Sequence, residues 1–241
     1  MIVQGQLTEV TQRCGVPLAI LSDRGSDLKK GVELLQQDHP KVISVYDVVH
    51  LVSGLVDKIL KADEQWAAFR KDCCRCANAV RKSRFAHLKP PTPKTKARHM
   101  NIDREIAWGA RLLTLLTLAR AGQLSSDQRA DLPLPLLEVK FGWLDAYGES
   151  LQRWEELSVL CQQTCTIVRR RGYDSGLEER LRSGLSVARS AAGQTLVGQI
   201  LSFGAETATA VGSANRVPGS SEVIESLIGK GKRLAGVHGS S

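Results

Sequence analysis

Aromatic residues make up only 5% of this 241-residue chain, and strand-like segments stop after residue 46. No apolar run approaches the ~18 residues that a bilayer-crossing helix needs, which excludes a span of that kind. Nothing at the N-terminus has the basic, apolar and small-residue succession of a secretory leader. The six cysteines, at 14, 73, 74, 76, 161 and 165, leave two gaps too short for easy bridging. Reduced thiols and a cytoplasmic location are therefore expected. No segment repeats. Aspartate is absent before residue 23, where Glu9 is the sole acid.

What is present is a core-forming composition with a lopsided charge. Hydrophobic residues reach 42% and the formal net charge is +8. A basic balance points to an anionic partner without specifying a fold. Residues 70–99 hold ten Lys/Arg against one acid, Asp72, so this window carries the entire excess. Within it, Lys89-Pro90-Pro91-Thr92-Pro93-Lys94 has to be a loop, because its prolines exclude a helix. A run of charge is ordinarily a solvated helix face. Here the excess is one-sided and the Pro-rich loop holds the window exposed, which favours phosphate contact through Arg70, Lys71, Arg75, Arg81, Lys82 and Arg84. Contacts of that kind position DNA without reading its sequence.

The order of elements carries more. Residues 4–13 read as a helix closed by Gly15. Residues 16–22 are nearly continuous apolar sequence ending at Asp23, the pattern of a strand buried on both faces. Asp23 to Asp27 form a turn, residues 28–37 have helical spacing, and residues 41–46 form a second strand followed directly by Asp47. Strand, helix and strand at this distance make a βαβ unit with parallel strands. Only helices follow: 48–60, 64–85, 102–121, a single long helix over 136–171, and a glycine-interrupted helix over 177–210. A Gly/Ser/Asn/Pro loop over 212–221 precedes a last helix from about Ser221, which offers a capping hydroxyl, to Arg233. Two strands alone do not make a stable sheet.

Four segments, taken in order, carry a family resemblance. Leu21-Ser22-Asp23-Arg24-Gly25-Ser26-Asp27 ends a strand in an Asp. His39-Pro40 to Tyr46 leads into Asp47-Val48-Val49-His50, an Asp-x-x-His sequence. A helical block follows. Ile224-Glu225-Ser226-Leu227-Ile228-Gly229-Lys230-Gly231-Lys232 sets a Glu seven residues before a Lys on one helix face. In this order the segments resemble the DDE transposases of bacterial insertion sequences, which have an RNase H-like core. The resemblance implies an α/β remnant of that core with a large all-α insertion, predominantly helical overall. Its divisions are a partial core over 1–50, an all-helical insertion over 51–211, and a final core helix and tail over 212–241.

The resemblance implies catalytic acids at Asp23 and Glu225, with Glu222 a rival for the latter. It implies Mg²⁺ or Mn²⁺ held by Asp23 and Glu225, DNA as partner (transposon ends and target), further DNA contacts from Lys230 and Lys232, and a homodimer as a compatible assembly. Carboxylates suit such ions, and paired ions can clamp the attacking and leaving oxygens of a phosphodiester. The family's first Asp, on the first core strand, has no counterpart before Asp23. The chain therefore resembles a C-terminal portion of a transposase and is expected to be inactive by itself.

Each candidate also has a plainer reading. Asp23 is equally a turn former, and Asp27 a helix N-terminal acid. Asp47 and His50 are either a helix cap with a part-buried histidine or a pair that orients the edge of the active site. Cys73, Cys74, Cys76, His87 and His99 fit no standard zinc spacing. Cys161 and Cys165 have helix-core spacing, and Arg169 to Arg171 suit a helix C-terminus. The alternative for the whole chain is a non-catalytic helical protein that binds nucleic acid.

Overall fold

The computed structural model describes residues 2–23, 25–92, 98–213 and 215–221. The chain is predominantly helical, with one two-stranded parallel sheet among the described residues. It divides into two compact units. One comprises Met1–Gly54, Cys161–Val187 and the described residues from Val197 on; the other comprises Leu55–Leu160 and Ala188–Leu196. The helical stretch 51–211 is thus shared between the units.

The first unit contains the sheet. Helix α1 (Ile2–Cys14) leads to β1 (Ala19–Ser22), α2 (Ser26–Asp38), β2 (Ile43–Tyr46) and the start of α3 (Val48–Lys61). The strands pair in parallel, Ala19 opposite Ile43 and Ser22 opposite Tyr46, as the βαβ reading expects. β2 buries Ile43 and Val45, and α2 buries Val32 and Leu35. β1 departs from expectation. It is only half-buried over Ala19–Leu21, and Val16 and Leu18 just before it are 53% and 54% exposed. A strand needs an element on each face to be buried twice over, and the described residues do not supply both.

The same unit takes in the end of α8 (Gly148–Arg171), α9 (Leu177–Gly184) and most of α10 (Ala191–Val211). Between α8 and α9, Tyr173 pairs with Val217 in an antiparallel bridge. Gly172 makes the approach feasible. Its φ is +67, and a Cβ there would lie 2.5 Å from the Val217 carbonyl oxygen, so a side chain would be both strained and obstructed.

The regular elements of the second unit are helices among the described residues. It contains α4 (Glu64–Val80), α5 (Arg98–Arg120), α6 (Ser126–Asp131), α7 (Leu134–Phe141) and the first part of α8. The long helix expected over 136–171 is interrupted by a 3-10 segment at Gly142–Tyr147. Glycines at 142 and 148 weaken the helix at both ends of that segment. The tighter turn carries Leu144 and Tyr147 into the core. The helix expected over 64–85 ends at Val80, with Phe85 buried in the turn that follows. The glycine-interrupted helix over 177–210 is likewise two helices, α9 and α10, parted after Gly184.

The few aromatics are concentrated here. Trp154 meets Trp66 edge-on at 4.9 Å between ring centroids and Phe69 at 5.2 Å, and Phe69 meets Tyr147 at 5.3 Å. Asp63 ties this cluster to a helix start. One carboxylate oxygen accepts from Gln65 N at 3.0 Å, capping α4. The other accepts from Trp154 Nε1 at 2.9 Å and Arg153 Nη2 at 3.1 Å. Burial pushes the Asp63 carboxyl up, but the indole and Arg153 outweigh it and hold the group below the usual carboxylate range. A folded value below the unfolded one (~3.9) means that this carboxylate stabilises the fold above that pH and ceases to as pH falls through its folded value. Acid unfolding followed by tryptophan fluorescence should therefore steepen below about pH 4. Asp63→Asn should flatten that limb; an unaltered limb would assign it to other carboxylates.

Candidate functional site

The site is built where the parallel strands end. Since Ser22 lies opposite Tyr46, Asp23 and Asp47 are the first residues beyond the paired ends, and Asp47 N donates to Ser22 O at 2.9 Å. The two carboxylates have opposite environments. Asp23 is exposed, and its Oδ1 accepts from Gly25 N at 3.0 Å, an Asx turn. Asp47 is 2% exposed. Its Oδ1 accepts from Val49 N at 2.8 Å and His50 N at 3.3 Å, which caps α3. Its Oδ2 accepts from Ser221 N at 2.7 Å and Ser221 Oγ at 2.9 Å.

Asp47 thus does more than the capping that its sequence position suggests. It grips a residue 174 positions away. His50 takes part through its backbone N–H, while its ring is exposed. The grip is reinforced on both sides. Val48 N donates to Gly219 O at 2.9 Å. The fully buried Tyr173 donates its hydroxyl to Tyr46 O at 2.7 Å, with Gly219 O at 3.2 Å. Gly219 is buried where a Cβ would run into Val168 and the Tyr173 ring, so residue 219 can thread this point only without a side chain.

Sequence reasoning did not single out Tyr173 or Gly219, and read Ser221 only as a helix cap. A lone Tyr after an Arg-rich helix end and a Gly-Ser-Ser run have no periodic signature. Glu222, Glu225, Lys230 and Lys232 lie outside the described residues. Among the described residues, no three His, Cys, Asp or Glu side chains gather as a metal site. Asp23 alone offers too few oxygens for a divalent ion, although its exposed carboxylate is of the right chemical kind.

The basic candidates lie in the second unit and divide in two. Arg70 Nε pairs at 3.2 Å with Glu105, which is buried in the α5 face. Burial pushes the Glu105 carboxyl up and Arg70 opposes this, so Arg70 compensates an interior charge. Arg75 is paired with Asp72, and Arg84 donates to Ala130 O at 2.9 Å. Lys71, Arg81 and Lys82 are exposed and make no ion pair among the described residues. The thiols nearby turn different ways. Cys73 and Cys76 are buried and Cys74 is exposed. Burial pushes the Cys73 thiol far up and the Cys76 thiol to about 11, so both are inert as nucleophiles.

These residues define a mostly helical protein whose small parallel sheet ends in two acids, one exposed and one buried. No protein-family model, curated protein or solved structure matches the chain. Among the described residues, no helix is long and apolar enough to cross a membrane.

Proposed function

We propose that the chain carries the second and third acids of a DDE transposase, Asp23 and Glu225 (or Glu222), together with a basic helical domain that contacts DNA. One observation carries the reading: Ser221 is anchored on Asp47 at the same sheet end from which Asp23 projects. Ser221, so held at the strand ends, precedes Glu222 by one residue and Glu225 by four in the sequence. The half-exposed apolar β1 supports it too, since an RNase H-like core would cover that strand with others. Asp23 and Glu225 would hold Mg²⁺ or Mn²⁺, and such ions polarise a phosphodiester and activate the attacking oxygen. The residues of this chain contribute carboxylate oxygens and their spacing. DNA, as transposon ends and target, is the partner, and a homodimer is the assembly proposed with it.

A second reading has its own support. The Asx turn of Asp23 is what a structural aspartate makes, and a non-catalytic DNA-binding protein would need only the basic surface. Both readings predict that the chain binds duplex DNA with a steep salt dependence. Lys71, Arg81 and Lys82 have their charge to spare, and each lost phosphate contact should reduce the log–log salt slope by about 0.9. Replacing all three with Ala should flatten the slope and leave the melting temperature unchanged. Arg70→Ala should do the reverse, lowering stability because Glu105 loses its partner. An unchanged slope in the triple variant would remove DNA from this surface.

A further inference from the structure

We propose that a cavity in the second unit binds one unpaired guanine base of a DNA strand whose phosphates lie on the basic surface. The proposal rests on the reading of that surface as a DNA contact, and deepens it.

The cavity forms where the turn after α4 meets the end of α6. Its volume is about 260 Å³, and Arg84, His87, Gln128, Asp131 and Leu132 line it. Drug-sized ligands fill about 300–1,000 Å³, so this space suits a smaller, ring-sized group. Two of its walls are held from within the fold. Arg84 Nη2 donates to Ala130 O at 2.9 Å, which fixes the guanidinium beside the last turn of α6 and leaves its other N–H groups for a ligand. Gln128 Oε1 accepts from Ser125 N at 3.0 Å in the capping box of α6, so the amide nitrogen is what Gln128 has to offer. Asp131 shares the cavity with Arg84 and makes no ion pair among the described residues.

These groups narrow the ligand. A simple anion would meet Asp131, and a cation would meet Arg84. The ligand must carry donors and acceptors side by side, with an apolar face for Leu132. A nucleobase does. Arg81 and Lys82, exposed and without an ion pair among the described residues, lie three and two residues before Arg84. They would contact the flanking phosphates. Among the bases guanine matches best. Its N1–H and 2-amino group are adjacent donors, fitted to the two oxygens of one carboxylate. Its O6 and N7 are the acceptors that a guanidinium takes in bidentate fashion. Adenine, cytosine and thymine lack the adjacent donors. Asp131 would then occupy the edge that pairs in a duplex, so the base has to be unpaired, as bases of single strands are when they are read.

The test measures binding of the 241-residue chain to labelled oligothymidines by fluorescence anisotropy at fixed salt. One strand is all thymine, one has a single central guanine, and one has inosine there. The guanine strand should bind about tenfold tighter than the thymine strand, the discrimination of a bidentate contact. Inosine lacks the 2-amino group and should bind about threefold more weakly than guanine. Asp131→Asn, at an exposed helix end, should remove most of the guanine preference and make guanine and inosine equal. An amide offers one acceptor oxygen where the carboxylate offers two. Replacing Lys71, Arg81 and Lys82 with Ala should weaken all three strands alike and keep their ratios. Equal binding of the guanine and thymine strands by the unaltered chain overturns the base pocket and leaves the DNA surface standing. So does a guanine preference that survives Asp131→Asn intact. The inosine comparison needs no substitution and decides the matter if Asp131→Asn fails to fold: inosine as good as guanine overturns the Asp131 contact. Binding of neither single strands nor duplex overturns the surface and the pocket together.

Discussion

Asp23→Asn is expected to abolish DNA cleavage and joining in a polypeptide that unites this chain with a preceding RNase H-like segment ending a strand in Asp, and Glu225→Gln should do the same. The 241 residues alone should show neither activity above background with Mg²⁺ or Mn²⁺. Two carboxylates cannot bridge two ions, and without the ions they repel each other. The loss in the united polypeptide should be at least about a thousandfold, roughly 4 kcal/mol of transition-state stabilisation. The amides are nearly isosteric with the acids, so melting temperature and the salt slope of DNA binding should not change. If Glu225→Gln retains activity and Glu222→Gln loses it, the third acid is Glu222. Transposon-end cutting by the 241-residue chain alone would falsify the two-acid reading.

Trp154→Ala should produce the largest loss of stability of any single substitution considered. The side chain is fully buried among Trp66, Phe69 and Tyr147. Truncating a buried aromatic costs about 3–5 kcal/mol. The substitution also strips the indole donor from Asp63, leaving a part-buried carboxylate with less support. Trp154→Phe reports chiefly on that second effect, because it keeps most of the buried ring while removing the N–H donor to Asp63. It should cost about 1–3 kcal/mol and move the acid unfolding limb toward higher pH, since Asp63 would lose a bond that favours its ionised form. Chemical denaturation followed by circular dichroism measures both. A loss under 1 kcal/mol for Trp154→Ala would mean that the aromatic cluster is not the keystone that its burial implies.

How legible the molecule was depends on sequence distance. The βαβ unit could be read because its cues are local. Apolar runs of the right length, a helical spacing between them and an Asp at each strand end led to the parallel pair and to both carboxylates. Helix positions were readable too, from apolar periodicity and, for the first helix, from Gly15, which has positive φ. Breaks inside long helical stretches were not, since the 3-10 segment at 142–147 keeps apolar residues coming at close to helical spacing. Contacts across the chain left no trace. Nothing around Asp47 announces Ser221, nothing around Asp63 announces Trp154, and Arg70 looks like any other cation in its window until Glu105 is found buried beside it. A charge count assigns all six arginines and lysines of α4 and its following turn to DNA, whereas among the described residues pairing engages three of them and leaves Lys71, Arg81 and Lys82 without an ion pair.

The junction at Ser221 also has a kinetic consequence. The helical unit is almost contiguous in sequence, from Leu55 to Leu160, whereas the sheet-bearing unit is assembled from three separate stretches. Its closing contacts, Tyr173 with Val217 and Asp47 with Ser221, span up to 174 residues. On a ribosome the helical unit can collapse as soon as it emerges, because its contacts are the nearer ones. The sheet-bearing unit must wait. Until Gly219 and Ser221 are made, Asp47 Oδ2 and the Tyr173 ring lack partners that bury them in the finished protein. Synthesis order thus makes the Val217–Ser221 segment the latch that ends this exposure, and premature termination before it should yield a chain whose helical half folds and whose sheet half draws chaperones.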